Sequence, residues 1–181
     1  MRPRSLVISA FAALLLTAAG PARAALRMFS YDPANAETRR SAGALTFQFT
    51  QKLVFTKVLN VRATEGQATA ELRPADEKAL GRGGLSALVG SAPERDLYEV
   101  QPTKDGAALV SAFCPGASRG WMAFGRLRMN RDLRVLVLGG PGAGATAHLC
   151  RTLDFTFKGE WRLPPGAKFD ERQLERRQFP H

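Results

Sequence analysis

The 181-residue chain is poor in the side chains on which catalysis and metal binding usually rest. It has two cysteines, two histidines, two tryptophans and two tyrosines. His181 is the last residue, which leaves His148 as the single internal imidazole. Two cysteines and one histidine cannot close the four-ligand shell of a structural zinc without a carboxylate. A Ser-His-Asp triad would have to run through His148, and no nucleophile elbow is read in the sequence. His148 is read as an ordinary, partly buried histidine. Acids are scarce too, with 16 Asp and Glu against 26 Lys and Arg, for a formal charge of +10. Those of the second half (Glu94, Asp96, Glu99, Asp105, Asp132, Asp154 and Glu160) are scattered, mostly at turns. The facing carboxylate pair of a glycosidase is therefore not read from them. No catalytic, cofactor-binding or metal-binding residue is assigned, and no cofactor is expected.

Long apolar runs are missing as well, with one exception at the N-terminus. "MRPR" is basic, "SLVISAFAALLLTAAG" is apolar and uncharged, and "PARA" carries small residues at Ala22 and Ala24. That is the layout of a secretory signal peptide, Met1–Ala24, with cleavage expected after Ala24. The run is short for about 30 Å of hydrocarbon, and Gly20-Pro21 ends it. Removing the three arginines of residues 1–24 leaves +7 of the formal +10 for the mature part. The expected location is the periplasm or the exterior. There a basic surface could meet an anionic surface or ligand, and nucleic acid is not an expected partner. No transmembrane segment is expected in the mature chain. In an oxidising compartment Cys114 and Cys150 should pair. Closing that loop stabilises by about 3–4 kcal/mol in the chain-entropy model.

The glycine-rich stretch "VLGGPGAGATAHLC" (137–150) lacks what a phosphate cradle needs. A P-loop requires Lys then Ser or Thr after its last glycine, whereas Gly144 is followed by Ala145-Thr146. It reads as a loop between strands. His148 and Cys150, two apart on a strand, would share a face. A thiolate nucleophile there would need a free thiol, which a disulfide removes.

Strand signals fill the mature chain. Leu45, Phe47 and Phe49 alternate with Thr46, Gln48 and Thr50; "KVLNVRAT" alternates loosely; Ala68, Ala70 and Leu72 share a side before Pro74. "PADEKALGRGGLSALVGSAP" should form two short helical pieces with a break at its glycines. "DLYEVQP", "AALVSAFC", "WMAFGRLRM", "LRVLVLGG", "ATAHLC" and "LDFTFKGEWRLP" read as further strands, with Lys104-Asp105-Gly106 as a turn. The pattern predicts a mainly β fold, an antiparallel β-sandwich of jelly-roll or Ig-like type with one broken helical insertion, over residues 25–165. A charged tail, 166–181, follows. Trp121 and Trp161 stand at strand ends near glycines and form a candidate interaction surface, with core or rim packing as the simpler reading.

The order of "ATAEL", a charged leucine-bearing stretch, "LYEVQP", "ALVSAFCPG", "GRLRMNRDLRVLVLGG", a second cysteine and "LDFTF" resembles the lumenal domain of subunit ten of the endoplasmic-reticulum membrane protein complex. The resemblance covers roughly Leu45 to Phe157, with Leu97, Tyr98, Val100, Ser111, Phe113, Cys114 and Cys150 at the matching positions. It implies a β-sandwich with paired cysteines that binds other proteins and catalyses nothing. The alanine- and arginine-rich composition looks bacterial and points to the periplasm instead of the endoplasmic reticulum. The expected function is an exported, non-enzymatic interaction or accessory module whose partner is another envelope protein. The alternatives are a carbohydrate-binding module or glycan hydrolase using Trp121 and Trp161, and a lipid- or anion-binding periplasmic protein.

Overall fold

The computed structural model describes residues 26–163, apart from 53–54, 66–67, 92 and 142–145. The expected signal peptide and charged tail lie outside the described residues. Eight strands run in chain order: β1 (Leu26–Pro33), β2 (Leu45–Lys52), β3 (Phe55–Ala63), β4 (Thr69–Pro74), β5 (Asp96–Val100), β6 (Arg119–Phe124), β7 (Leu133–Gly140) and β8 (His148–Leu163). Each pairs antiparallel with the next, and β8 returns to pair with β1.

The sheet is therefore a closed barrel and not the expected open sandwich, and the sandwich implied by the family resemblance is corrected with it. The cause lies in two segments. Leu26–Pro33, not counted among the expected strands, pairs with β2 on one side and β8 on the other and removes both sheet edges. "ATAHLC" and "LDFTFKGEWRLP", read as two strands, supply a single one, β8. Its first half pairs with β7 and its second with β1.

Inward positions carry the core. Leu45, Phe47 and Phe49 of β2 are buried as their alternation predicts, while Thr46, Gln48 and Thr50 stay partly exposed on the outside. On β2 the apolar side faces in and the polar side out. The loose alternation of β3 has a local reason. Gln48 pairs with Asn60 and Phe49 with Val58, so a bulge at Leu59 brings Val58 and Val61 to the same face. An eight-stranded barrel is just wide enough for side chains to fill. Here aromatics fill it, with edge-to-face pairs Phe29–Phe49 (4.7 Å), Phe29–Phe157 (5.4 Å) and Tyr31–Phe47 (6.1 Å) and a stacked pair Tyr98–Phe124 (4.9 Å). Burial pushes the Tyr31 and Tyr98 phenols up from their ordinary values.

The connections differ in kind. Between β1 and β2 lies α1 (Ala36–Ala42), which begins where the Asn35 side chain accepts a hydrogen bond from the Thr38 amide. The insertion after β4 forms a 3-10 turn, Glu77–Leu80, and α2 (Gly84–Val89), the two short pieces expected. Its Leu80 and Leu85 fold down onto the outer wall of β5–β7, against Leu97, Trp121, Leu136 and Leu138, and build a second core outside the barrel.

"AALVSAFC" does not form the expected central strand. Residues Lys104–Phe113 are a helix, α3. Thr103 caps it, its hydroxyl accepting from the Gly106 amide at 3.1 Å, so Lys104-Asp105-Gly106 is a first helical turn and not a hairpin turn. Gly106, Leu109, Val110 and Phe113 are its buried positions, which is helical spacing. The helix lies across one end of the barrel and closes it.

Candidate functional site

The end closed by α3 gathers most of the chain's scarce chemistry. Seating the helix requires missing side chains beneath it. A Cβ on Gly120 of β6 would stand 2.5 Å from Val110 Cγ2, and one on Gly106 would stand 2.0 Å from the Gln101 carbonyl oxygen. Helix α3 ends at Cys114, whose amide donates to the Val110 carbonyl. On the neighbouring wall, β7 pairs Val137 with Arg151 and Leu138 with Leu149. Cys150 is thus the extra residue of a β-bulge, a device that re-aims side chains.

The bulge turns two consecutive residues toward the helix end. Cys150 forms the disulfide with Cys114, with a Cα–Cα distance of 5.3 Å. Arg151 Nε donates to the Phe113 carbonyl at 3.0 Å, and its Nη1 donates to Ser41 Oγ of α1 at 3.3 Å. A cation at a helix C-terminus also meets the negative end of the helix dipole. Gly139 of β7 lies directly under the sulfurs; a Cβ there would sit 2.1 Å from Cys114 Sγ and 2.9 Å from Cys150 Sγ.

His148 is exposed, not partly buried, and its Nε2 lies 3.7 Å from Cys114 Sγ. The three ligand atoms of Cys114, His148 and Cys150 lie within 4.8 Å of one another. Beside them opens a basin of about 600 Å³, lined by Glu37, Arg40, Ser41, Glu65, Ala112 and Arg151. Positive and negative groups are balanced there. Beneath α3, by contrast, the space between Leu109, Phe113, Trp121 and Val137 amounts to about 10 Å³, barely room for one water.

Sequence reading passed over one motif here. Gly116-Ala117-Ser118-Arg119-Gly120 spells Gly-x-Ser-x-Gly. A nucleophile elbow lies where a strand turns into a helix. Ser118 lies where α3 gives way to β6, and its hydroxyl donates to the Gly140 carbonyl at 3.4 Å. The match is one of spelling and not of structure.

The two tryptophans do not form a common surface. Trp121 is buried on the outer wall beneath Leu80 and Leu85, and the Arg119 guanidinium covers its ring at 4.9 Å. Arg119 is itself paired with Glu99. Trp161 is exposed, near the far end of β8, whereas Trp121 pairs with Leu138, which neighbours Leu149 at the start of that strand. A stacking platform from Trp121 and Trp161 is thereby corrected: burial removes the first and register separates it from the second.

The opposite end carries a polar cluster. Arg27 Nε donates to Glu160 at 2.6 Å, Arg162 Nε donates to the same carboxylate at 2.8 Å, and Arg27 also bonds Gln51. The Arg27 guanidinium lies over the Phe29 and Phe49 rings at 5.4 and 5.5 Å. The hydrogen bond from Arg27, above all, holds the Glu160 carboxyl below the usual range against the opposing pull of desolvation, with Arg162 assisting. No helix among the described residues is long and apolar enough to cross a membrane. No protein-family model matches this chain, and no curated protein and no solved structure matches it significantly.

Proposed function

We propose that this chain is an exported, non-enzymatic interaction or accessory module of the cell envelope, working from the outer surface of a stapled barrel. One observation carries the reading. Among the described residues the interior is packed with its own aromatics and α3 buries Leu109, Val110 and Phe113 against it, which supports recognition on the outer surface. The disulfide suits an oxidising compartment, and the leader-like N-terminus suits export to one. The mixed-charge basin of Glu37, Arg40, Ser41 and Glu65 is the surface we assign to the partner, another envelope protein whose contact face carries both signs of charge. A sugar platform built on Trp121 and Trp161 would need an accessible Trp121, and Trp121 is buried.

The test is affinity capture from envelope extracts with the wild-type protein, the charge-reversed variant Glu37→Lys/Arg40→Glu, and an unrelated protein of matched basic charge. An envelope protein enriched by wild type and lost with the variant supports the reading. Equal recovery on the basic control, or no enrichment, refutes it.

A further inference from the structure

We propose that the dithiol form of this protein binds one thiophilic cation, of the Cu(I) or Zn(II) class, between Cys114, Cys150 and His148. The argument is geometric. Tetrahedral zinc with bonds of about 2.3 Å to sulfur and 2.0–2.1 Å to nitrogen places S and N ligand atoms roughly 3.5 Å apart and two sulfurs roughly 3.8 Å apart. Cys114 Sγ and His148 Nε2 already stand 3.7 Å apart. Opening the disulfide therefore requires only that the two sulfurs separate by rotation of their side chains. Gly139, with no side chain, lets both sulfurs seat against the β7 backbone, so the ligand atoms converge on one floor.

The scaffold is also held without the sulfur bond. Arg151 fixes the end of α3 through the Phe113 carbonyl, so Cys114 stays beside β8 when the bridge is open. Three ligands from the protein leave a fourth position, and the exposure of His148 turns that position toward solvent, as in open and not closed sites. Soft thiolates favour Cu(I) and Zn(II) over hard cations. With zinc, two thiolates and a neutral imidazole make a neutral centre.

The opening step balances with a dithiol reductant. The Cys114–Cys150 bond takes up two electrons and two protons, and the dithiol becomes a disulfide. Metal binding then releases the two thiol protons to solvent.

The experiment reduces the purified protein with a dithiol, removes the reductant under nitrogen, and titrates Zn(II) or Cu(I) against a chromophoric competitor of each. Circular dichroism follows the fold. We expect one equivalent of one of the two metals in the reduced protein and none in the oxidised form. His148→Ala, at an exposed position, should lower affinity at least tenfold, and Cys114→Ser/Cys150→Ser should abolish binding. The metal held more tightly against its competitor identifies the cation. Binding that is as tight in His148→Ala as in wild type overturns the proposal, because two cysteines alone then account for it. So does the absence of stoichiometric binding, or a fold lost on reduction that neither metal restores.

Discussion

Replacing Gly139 by alanine tests whether the sulfurs really rest on the β7 backbone. The new Cβ would fall 2.1 Å from Cys114 Sγ, 2.9 Å from Cys150 Sγ and 2.8 Å from Ala117 Cβ. Distances this short cannot be met, so the disulfide and the end of α3 must move. Overpacking of this kind costs about 1–3 kcal/mol. For a domain of this size each kcal/mol lowers Tm by about 2–4 °C. The informative comparison is the same substitution in a Cys114→Ala/Cys150→Ala background. There both sulfur atoms are gone, only the Ala117 contact remains, and the added methyl occupies vacated space. The cost of Gly139→Ala should fall by about 1–2 kcal/mol, which appears as a coupling energy in a double-mutant cycle of urea midpoints. An equal cost in both backgrounds would refute the reasoning, since the clash would then not be with the sulfurs.

Removing the staple itself, Cys114→Ala/Cys150→Ala, should lower stability by about 3–4 kcal/mol from the chain-entropy effect alone, and thiol labelling of the unreduced, unfolded wild type should find no free cysteine. Arg151→Met should cost about 1–2 kcal/mol by urea unfolding, because the partly buried Phe113 carbonyl loses a charged donor; an unchanged midpoint would show that water replaces it without loss. The Glu160 carboxyl has a folded pKa below its unfolded value of about 4.3, so its contribution is present above that value and disappears as pH falls through the folded pKa. Wild type should therefore be more stable than Glu160→Gln at neutral pH, and thermal melts should show the gap closing below about pH 4.3. A gap that persists unchanged in acid would assign the effect of the substitution to packing instead.

Strand periodicity was the legible part of the fold. The inward set of Leu45, Phe47 and Phe49, and that of Ala68, Ala70 and Leu72, followed directly from alternation. Alternation does not separate a sandwich from a barrel, because both bury one face of each strand. What separates them is whether the first and last strands meet, a long-range pairing with no local signature. Phe29 and Tyr31 alternate in β1, but that short segment follows the apolar run of the N-terminal sequence and is easily passed over. In α3 the residues Ala107-Ala108-Leu109-Val110 look continuous enough for a central strand. The deciding signals were Thr103 as a cap and the spacing of Gly106, Leu109, Val110 and Phe113. The first turn of α3 contains Gly106, which local reading assigns to a turn. It is glycine for a tertiary reason, the close approach of the Gln101 carbonyl.

The candidate site was legible in its parts but not in its arrangement. Cysteine count and the compartment expected from the N-terminal sequence were enough to expect the bridge. Nothing in "AHLCR" announces the bulge at Cys150, because a bulge depends on how β7 pairs with β8. That one inserted residue turns Cys150 and Arg151, which a regular strand would send to opposite faces, toward the same helix end. The two then hold α3 by different means, one covalent and sensitive to reductant, the other polar and indifferent to it. A bridge that were the helix's sole attachment would release Cys114 when opened. The proposed metal site needs Arg151 to keep Phe113 in place when the bridge opens, so that two thiols face each other beside His148, and circular dichroism of the reduced protein reads whether the fold survives without the bridge.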